Sequence, residues 1–154
     1  MIEHCRYLPP EAIERDLGIG PGSLRVNLAH TIEAMFFFAD CFAGREYVEP
    51  ADFAAKSGDL NGLEVLLKRA HRALFDGMLG GLRKGLPKSI EWPGTDAGTM
   101  PAAAAIAQVF DHAALHRTQC INMFKRLGVE PLPDLDPMAF HLAPTVSGFL
   151  PPPG

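Results

Sequence analysis

Apolar side chains recur at helical spacing in three long stretches of this 154-residue chain. In the first stretch, Ser23 is a suitable N-cap, apolar residues follow it three and four positions apart, and Gly44 stands just beyond the last of them. Serine at the start and glycine at the end are the residues that helix termini favour. The pattern therefore predicts a helix over residues 23–42 that ends near Gly44.

The same reasoning predicts two more long helices. Asp59 can cap a helix whose leucines repeat at three and four positions, and Gly80-Gly81 is expected to stop it. A longer helix is predicted over residues 102–127, with Gly128 in position to end it. Each of these helices carries one apolar stripe, which indicates that the stripes pack together in a common core.

The rest of the chain gives weaker signals. Residues 1–8 are short and mixed, residues 10–17 can form about two turns, and residues 134–141 can form one short helix. Residues 143–154 are rich in Pro and Gly and predict an irregular tail, and we find no convincing pair of alternating strands. The prediction is a single all-α domain over residues 1–154, an antiparallel up-down four-helix bundle whose first helix is short or atypical.

Composition narrows the possible functions. A chain that is 47% hydrophobic and 21% charged is typical of a globular protein. The net charge of -4 provides no basic surface for nucleic acid. The apolar runs fall short of the roughly 20 residues that cross a bilayer, and no secretion signal opens the chain, so we expect a cytoplasmic protein without a membrane role. Three cysteines without zinc-binding spacing are expected to be reduced thiols.

Candidate chemistry centres on histidine. His112 and His116 are four residues apart in the predicted third long helix, so both imidazoles project from one side and can share a metal ion. His30, in the helix over residues 23–42, is the best candidate for a third ligand. Three neutral nitrogen ligands leave coordination positions open, as in catalytic sites. A pair at this spacing is also common by chance, and a solvated or hydrogen-bonded pair remains the alternative.

Other metal-site classes fit less well. No glutamate follows His112 to act as a general base, so a zinc peptidase is disfavoured. A di-iron bundle needs Glu-x-x-His on paired helices, whereas this chain has the reverse order in His30-Thr-Ile-Glu33. Cys41 and Cys120 could approach the site, although buried core thiols are the simpler interpretation.

Polar residues one or two helical turns from the histidines are candidates for catalysis or substrate binding. Glu33 could orient a ligand or accept a proton, and Gln119 could bind substrate or water. Asn27, one turn before His30, is a candidate for the same role as Gln119. For each of them, an exposed or paired polar side chain is the alternative. His71 is interpreted as a histidine at the edge of the core rather than a ligand.

Three motifs together resemble a known family. They are Gly22-Ser-Leu-Arg-Val-Asn-Leu-Ala-His30, Asp111-His-Ala-Ala-Leu-His-Arg-Thr-Gln119 and Leu127-Gly-Val-Glu-Pro-Leu-Pro-Asp-Leu-Asp136. They are similar to the DinB-like (damage-inducible) superfamily of metal-dependent helical bundles, which is distinct from the DNA polymerase of the same name. The chain departs from that pattern in having only residues 1–8 where the family has a long first helix.

The resemblance implies a function. It places His30, His112 and His116 at the family's three metal-binding positions, which hold nickel, zinc, iron or manganese. Characterised members include S-transferases and isomerases that use low-molecular-weight thiols such as bacillithiol or mycothiol, and the fold is commonly a homodimer. We therefore expect a metal-dependent transferase, or a related hydrolase or isomerase, that acts on a small molecule. The alternative is a non-catalytic metal- or ligand-binding bundle of the stress response.

Overall fold

The computed structural model describes residues 1–85, 89–91 and 99–133, and most of them are helical. The predicted all-α class is therefore confirmed. Three long helices are accompanied by three short ones and two short strands. In chain order the elements are α1 (Ile2–Cys5), α2 (Pro10–Glu14), α3 (Leu24–Ala43), α4 (Phe53–Lys56), α5 (Leu60–Lys84), β1 (Ser89–Glu91), β2 (Thr99–Pro101) and α6 (Ala102–Arg126).

The ends of α3 agree with the prediction. The Ser23 hydroxyl accepts a hydrogen bond from the Val26 N–H at 3.3 Å, and Gly44 follows the last turn in the left-handed conformation with φ +68°. At the start of α5, the Asp59 carboxylate accepts hydrogen bonds from the Asn61 and Gly62 N–H groups. These caps satisfy backbone groups that have no partner within the helix.

The predicted end of α5 is wrong. The helix continues through Gly80-Gly81 to Lys84, and both Gly77 and Gly81 are buried. A Cβ atom on Gly77 would lie 2.6 Å from the Ala39 carbonyl oxygen, closer than a side chain can come. Glycine therefore lets the backbones of α3 and α5 approach each other here. The packing gained at this contact outweighs the low helix propensity of glycine.

The long helices α3 and α5 run parallel. The Arg69 guanidinium lies 6.0 Å from the Phe36 ring centre, and further along both helices Gly77 meets Ala39. The predicted antiparallel arrangement is thus wrong for this pair. The 20 residues of α3 extend about 30 Å. The connection over residues 44–59 can return the chain to the starting end, because extended chain spans up to about 3.5 Å per residue.

Helix α6 runs antiparallel to α3. Near the start of α3, Asn27 contacts Gln119 in the second half of α6, whereas His30 contacts His112, about two turns earlier in α6. Thus α3 packs against both other long helices, while α5 and α6 have little direct contact over the described residues. The space between α5 and α6 is a cavity, which is treated below.

The core consists of two apolar clusters along α3. The larger one joins the first half of α3 to α5, to the end of α6 and to α1, and the smaller one joins the end of α3 to the start of α6. Each fully buried large side chain contributes about 1.5–3 kcal/mol. The largest such side chains are Phe42, Phe124, Leu24, Ile32, Leu63, Leu66 and Met123.

A small hairpin precedes α6 and was not predicted. Ser89–Glu91 pairs antiparallel with Thr99–Pro101, with Ser89 opposite Pro101. The sequence allowed only a short extended piece at Ser89-Ile-Glu-Trp92, and the expectation that no convincing pair of alternating strands occurs is wrong for this segment. Strands of three residues are too short to show the alternation by which a strand is recognised in a sequence.

Two further observations concern membrane-spanning helices and the predicted elements near the end of the chain. None of the helices that the structure describes is long and apolar enough to cross a membrane. The short helix predicted over residues 134–141 and the tail at 143–154 lie outside the described residues.

Candidate metal centre

The structure brings the three predicted histidine ligands together. His30 Nε2 lies 3.2 Å from His112 Nε2, and His116 Nε2 lies 3.1 Å from the same atom. All three nitrogens lie within 4.8 Å of one another. The three imidazoles therefore face one another, as a shared metal ion would require.

The antiparallel packing of α3 and α6 explains this convergence. His112 and His116 are one turn apart on the side of α6 that faces α3, and His30 projects from α3 toward them. The His30 ring centre lies 5.1 Å from that of His112 and 4.7 Å from that of His116. One contact between two helices therefore assembles all three side chains.

The spacing suits a shared cation. Three nitrogens about 2.1 Å from one tetrahedral zinc ion would lie about 3.4 Å apart, close to the observed 3.1 and 3.2 Å. Without a metal ion, a neutral His112 has at most one proton on Nε2 and can donate it to only one of the two neighbouring nitrogens. Hydrogen bonding from this atom alone therefore explains only one of its two short contacts. The donor set thus fits a divalent metal ion.

Asn27 holds His116 in the tautomer that a metal ligand requires. Asn27 is fully buried, and its amide nitrogen donates a hydrogen bond to Gln119 Oε1 at 3.1 Å. Its oxygen Oδ1 therefore faces His116 Nδ1 at 3.0 Å and accepts the proton of that nitrogen. With Nδ1 protonated, His116 Nε2 keeps a free lone pair directed at the site.

Gln119 lies behind His116. Its side chain contacts Asn27 and packs against the backbone of Gly20, where any Cβ atom would collide with it. Gln119 is not among the described residues that line the two cavities beside the triad. The contact with substrate or water predicted for Gln119 stays a prediction, and its side chain interacts with Asn27 and with His116.

The surroundings of the triad keep the imidazoles of His112 and His116 neutral. Burial, together with the neighbouring His116 and His30, lowers the pKa of His112 to about 4. Burial and His30 also lower the pKa of His116. A lowered pKa leaves these nitrogens unprotonated at neutral pH, which is the form that binds a metal ion.

The cysteines do not complete the site. Cys5, Cys41 and Cys120 are buried and free of disulfides. Burial raises the pKa of Cys41 to about 11 and that of Cys120 to about 12, so both thiols are protonated at neutral pH. Among the described residues, the group that could hold one cation contains only the three histidines. The described part of the chain thus supplies three ligands there.

The triad lies between two cavities. A small one of about 280 Å³ is lined by His30 and His112 together with Glu33, Tyr47 and Gln108. A larger one of about 600 Å³ is lined by His112 and His116 and by apolar residues of α3, α5 and α6. Since His112 borders both cavities, a ligand in either one can reach the site.

Tyr47 is a candidate functional residue that the sequence did not reveal. Its hydroxyl is shielded from solvent and lies near the Glu33 carboxylate. Burial and the nearby carboxylates, Glu33 first among them, raise the pKa of Tyr47 to about 12. Tyr47 stands in the irregular connection between α3 and α4, where no periodic pattern marks the residues that face the site.

Comparison with known proteins adds no family assignment, because no protein-family model matches the chain and a search of curated proteins finds no match either. A functional proposal therefore rests on the three-histidine site and its two cavities.

Proposed function

We propose that this protein is a metal-dependent enzyme of the DinB-like superfamily that activates a low-molecular-weight thiol, or water, for attack on a small electrophile. The supporting observation is the convergence of His30, His112 and His116 on one point that borders two cavities. Three nitrogen ligands with open positions are the pattern of a catalytic metal site.

The proposal assigns each part of the site a task. The three histidines would hold nickel, zinc, iron or manganese, and Asn27 would fix the orientation of His116. A divalent ion bound there lowers the pKa of a coordinated thiol or water and so supplies a nucleophile at neutral pH. Glu33 would accept the released proton. The Tyr47 hydroxyl, protonated at neutral pH, would donate a hydrogen bond to oxygen on the electrophile.

The proposal also includes the finer features of the family, namely a four-helix bundle and a homodimer. Three long helices around a common core support the bundle. Helix α1, although only four residues long, packs against α5 and contributes Cys5 to that core. It would stand in the place of the family's first helix.

Metal binding tests the first half of the proposal. Untagged protein purified without added metal should contain, or take up, one divalent ion per chain. His30→Ala and His116→Ala should each abolish tight binding in titrations with zinc and nickel. His71→Ala is the matched control, since His71 lies outside the histidine cluster and should leave metal binding unchanged. A folded protein that binds neither metal would refute the proposal.

Catalysis tests the second half. The metal-loaded protein would be assayed with a panel of low-molecular-weight thiols and electrophiles, and His116→Ala should lose turnover while its circular dichroism spectrum stays unchanged. X-ray absorption spectroscopy separates the enzyme from a non-catalytic metal-binding bundle. Three imidazoles plus solvent support an enzyme, whereas a site filled by four protein ligands supports the bundle.

A further inference from the structure

The larger cavity has the size and lining of a small-molecule binding site. It encloses about 600 Å³ between α3, α5 and α6, with α1 at one end. Sites for small molecules commonly measure about 300–1,000 Å³ and are mostly apolar with a few polar groups. Its apolar lining includes Leu28, Ile32, Met35, Leu67, Leu74 and Val109.

The charges beside α1 neutralise one another. Arg6 pairs with Glu64 at 2.7 Å and with Glu3 at 3.3 Å. Lys68 pairs with Glu64 at 2.6 Å. Because Arg6 and Lys68 each have a carboxylate partner, these two side chains offer no unpaired charge to a ligand, and the remaining cation at this end is the α-amino group of Met1.

Arg117 differs from these cations. It lines the same cavity, follows His116 directly on α6 and is exposed. None of the residues that the structure describes forms a hydrogen bond or an ion pair with it. A guanidinium group in this state can bind a carboxylate through two parallel hydrogen bonds.

We infer that the larger cavity binds an amphipathic carboxylate, with its apolar body between α5 and α6 and its carboxylate at Arg117. This inference rests on the proposed function and names a substrate class for the same site. The apolar body would lie beside His112 and His116, which line the cavity. Burying each additional methylene group should strengthen binding about fourfold until the cavity is full.

Titration of metal-free protein with simple probes tests the inference independently of metal. Hexanoate, octanoate and decanoate would be compared with decanol and decyltrimethylammonium by displacement of a fluorescent apolar dye. We expect affinity to rise with the length of the carboxylate, and decanoate to bind tighter than either other probe that carries a ten-carbon chain. Equal affinity for all three probes with a ten-carbon chain, or no dependence on length, would overturn the inference.

A charge variant tests the role of Arg117. R117Q should weaken decanoate binding about tenfold and leave decanol binding unchanged. The control is K125Q, which removes the same charge from an exposed position of α6 outside the cavity and should bind both probes as the original protein does. Equal loss of decanoate affinity in the two variants would contradict a specific role of Arg117.

Two variants that fill the cavity test the location of the probe. Ala113→Trp from α6 and Leu74→Trp from α5 each place a large side chain in the cavity, and each should weaken decanoate binding at least tenfold. The control, Ala114→Trp, changes an exposed neighbour outside the cavity and should have no effect. Unchanged binding in both folded cavity variants would place the probe elsewhere and overturn the inference.

The two proposals fail in different ways. If metal binds at the triad but no carboxylate binds in the cavity, the substrate class is wrong and the metal-dependent function stands. If decanoate binds with the expected dependence on Arg117 and Ala113 but no metal binds, the cavity assignment stands and the metal-dependent function is wrong.

Discussion

His116 Nδ1 and Asn27 Oδ1 lie 3.0 Å apart in the buried interface between α3 and α6, although 89 residues separate them in the chain. The contact continues away from the site, because Asn27 donates to Gln119 and Gln119 packs on Gly20. A loop backbone and two amide side chains thus support one candidate metal ligand. Replacing such supporting residues around metal ligands typically weakens metal binding about 10- to 100-fold.

Asn27→Ala should weaken zinc binding about 10- to 100-fold, because His116 loses the acceptor that fixes its tautomer. Asn27→Asp keeps an acceptor at that position and should retain most of the affinity. Competition with a chelator of known affinity measures both effects. Thr31→Ala, one turn further along α3, is the control and should bind zinc normally. A folded Asn27→Ala protein with unchanged affinity would show that His116 needs no such support.

Gly20→Ala should weaken zinc binding more than Gly18→Ala. Both glycines have positive φ, +55° and +64°, so alanine strains the backbone at either position. At Gly20 the new methyl group would also collide with Gln119, whereas nothing lies within 4 Å of a Cβ atom on Gly18. The difference in zinc affinity between the variants therefore reports on the Gln119 contact. Equal affinities would mean that Gln119 does not influence His116.

Gly77→Ala and Gly80→Ala should change stability in opposite directions. At Gly77 the methyl group would lie 2.6 Å from the Ala39 carbonyl oxygen, and separating α3 from α5 should destabilise the protein by about 1–3 kcal/mol. At Gly80 nothing lies within 4 Å, so alanine should stabilise the helix by about 0.5–1 kcal/mol. Urea unfolding of the metal-free variants measures both. Equal effects at the two positions would contradict the close approach at Gly77.

The metal-free protein should lose stability as the pH falls from about 6.5 to about 4, the ordinary and the lowered pKa of His112. Between these values the unfolded chain binds a proton that the folded protein does not, so acid favours unfolding. Above about pH 6.5 the contribution of neutral His112 to the free energy of unfolding is fully present. Urea unfolding at several pH values would follow it, and His112→Gln should lack this part of the dependence. An unchanged pH profile in that variant would contradict the neutral state of His112.

The contribution of Asp52 to the free energy of unfolding should change in a separate, more acidic pH range. Hydrogen bonds from Lys56 and Arg69 lower the pKa of Asp52 from 3.8 to about 2. Its contribution is therefore present above about pH 3.8 and lost below it, which separates it from the contribution of His112.

The sequence predicted the features that depend on local patterns. The start of α3 at Ser23 follows from capping chemistry, and the shared direction of His112 and His116 follows from helical geometry. The sequence could also name His30 as the third candidate, because apolar periodicity placed it in a helix. Both kinds of signal extend over a few neighbouring residues and need no knowledge of tertiary packing.

Features that depend on tertiary packing were missed. Gly80-Gly81 was interpreted as a helix end because glycine is a poor helix former, but α5 continues to Lys84, and its buried Gly77 admits the backbone of α3. The direction of α5 depends on how the connection over residues 44–59 folds, and that segment has no periodic pattern. Tyr47 reaches the site from the same connection. No local rule links a loop residue to a pocket formed by distant helices.

His30 leaves the ribosome 82 residues before His112, which it contacts in the folded protein. Helices α3 and α5 can pack against each other while the rest of the chain is still being made, but the triad needs α6. Binding of a metal ion at the triad is therefore expected only after α6 has been synthesised. A chain interrupted before α6 has one of the three imidazoles.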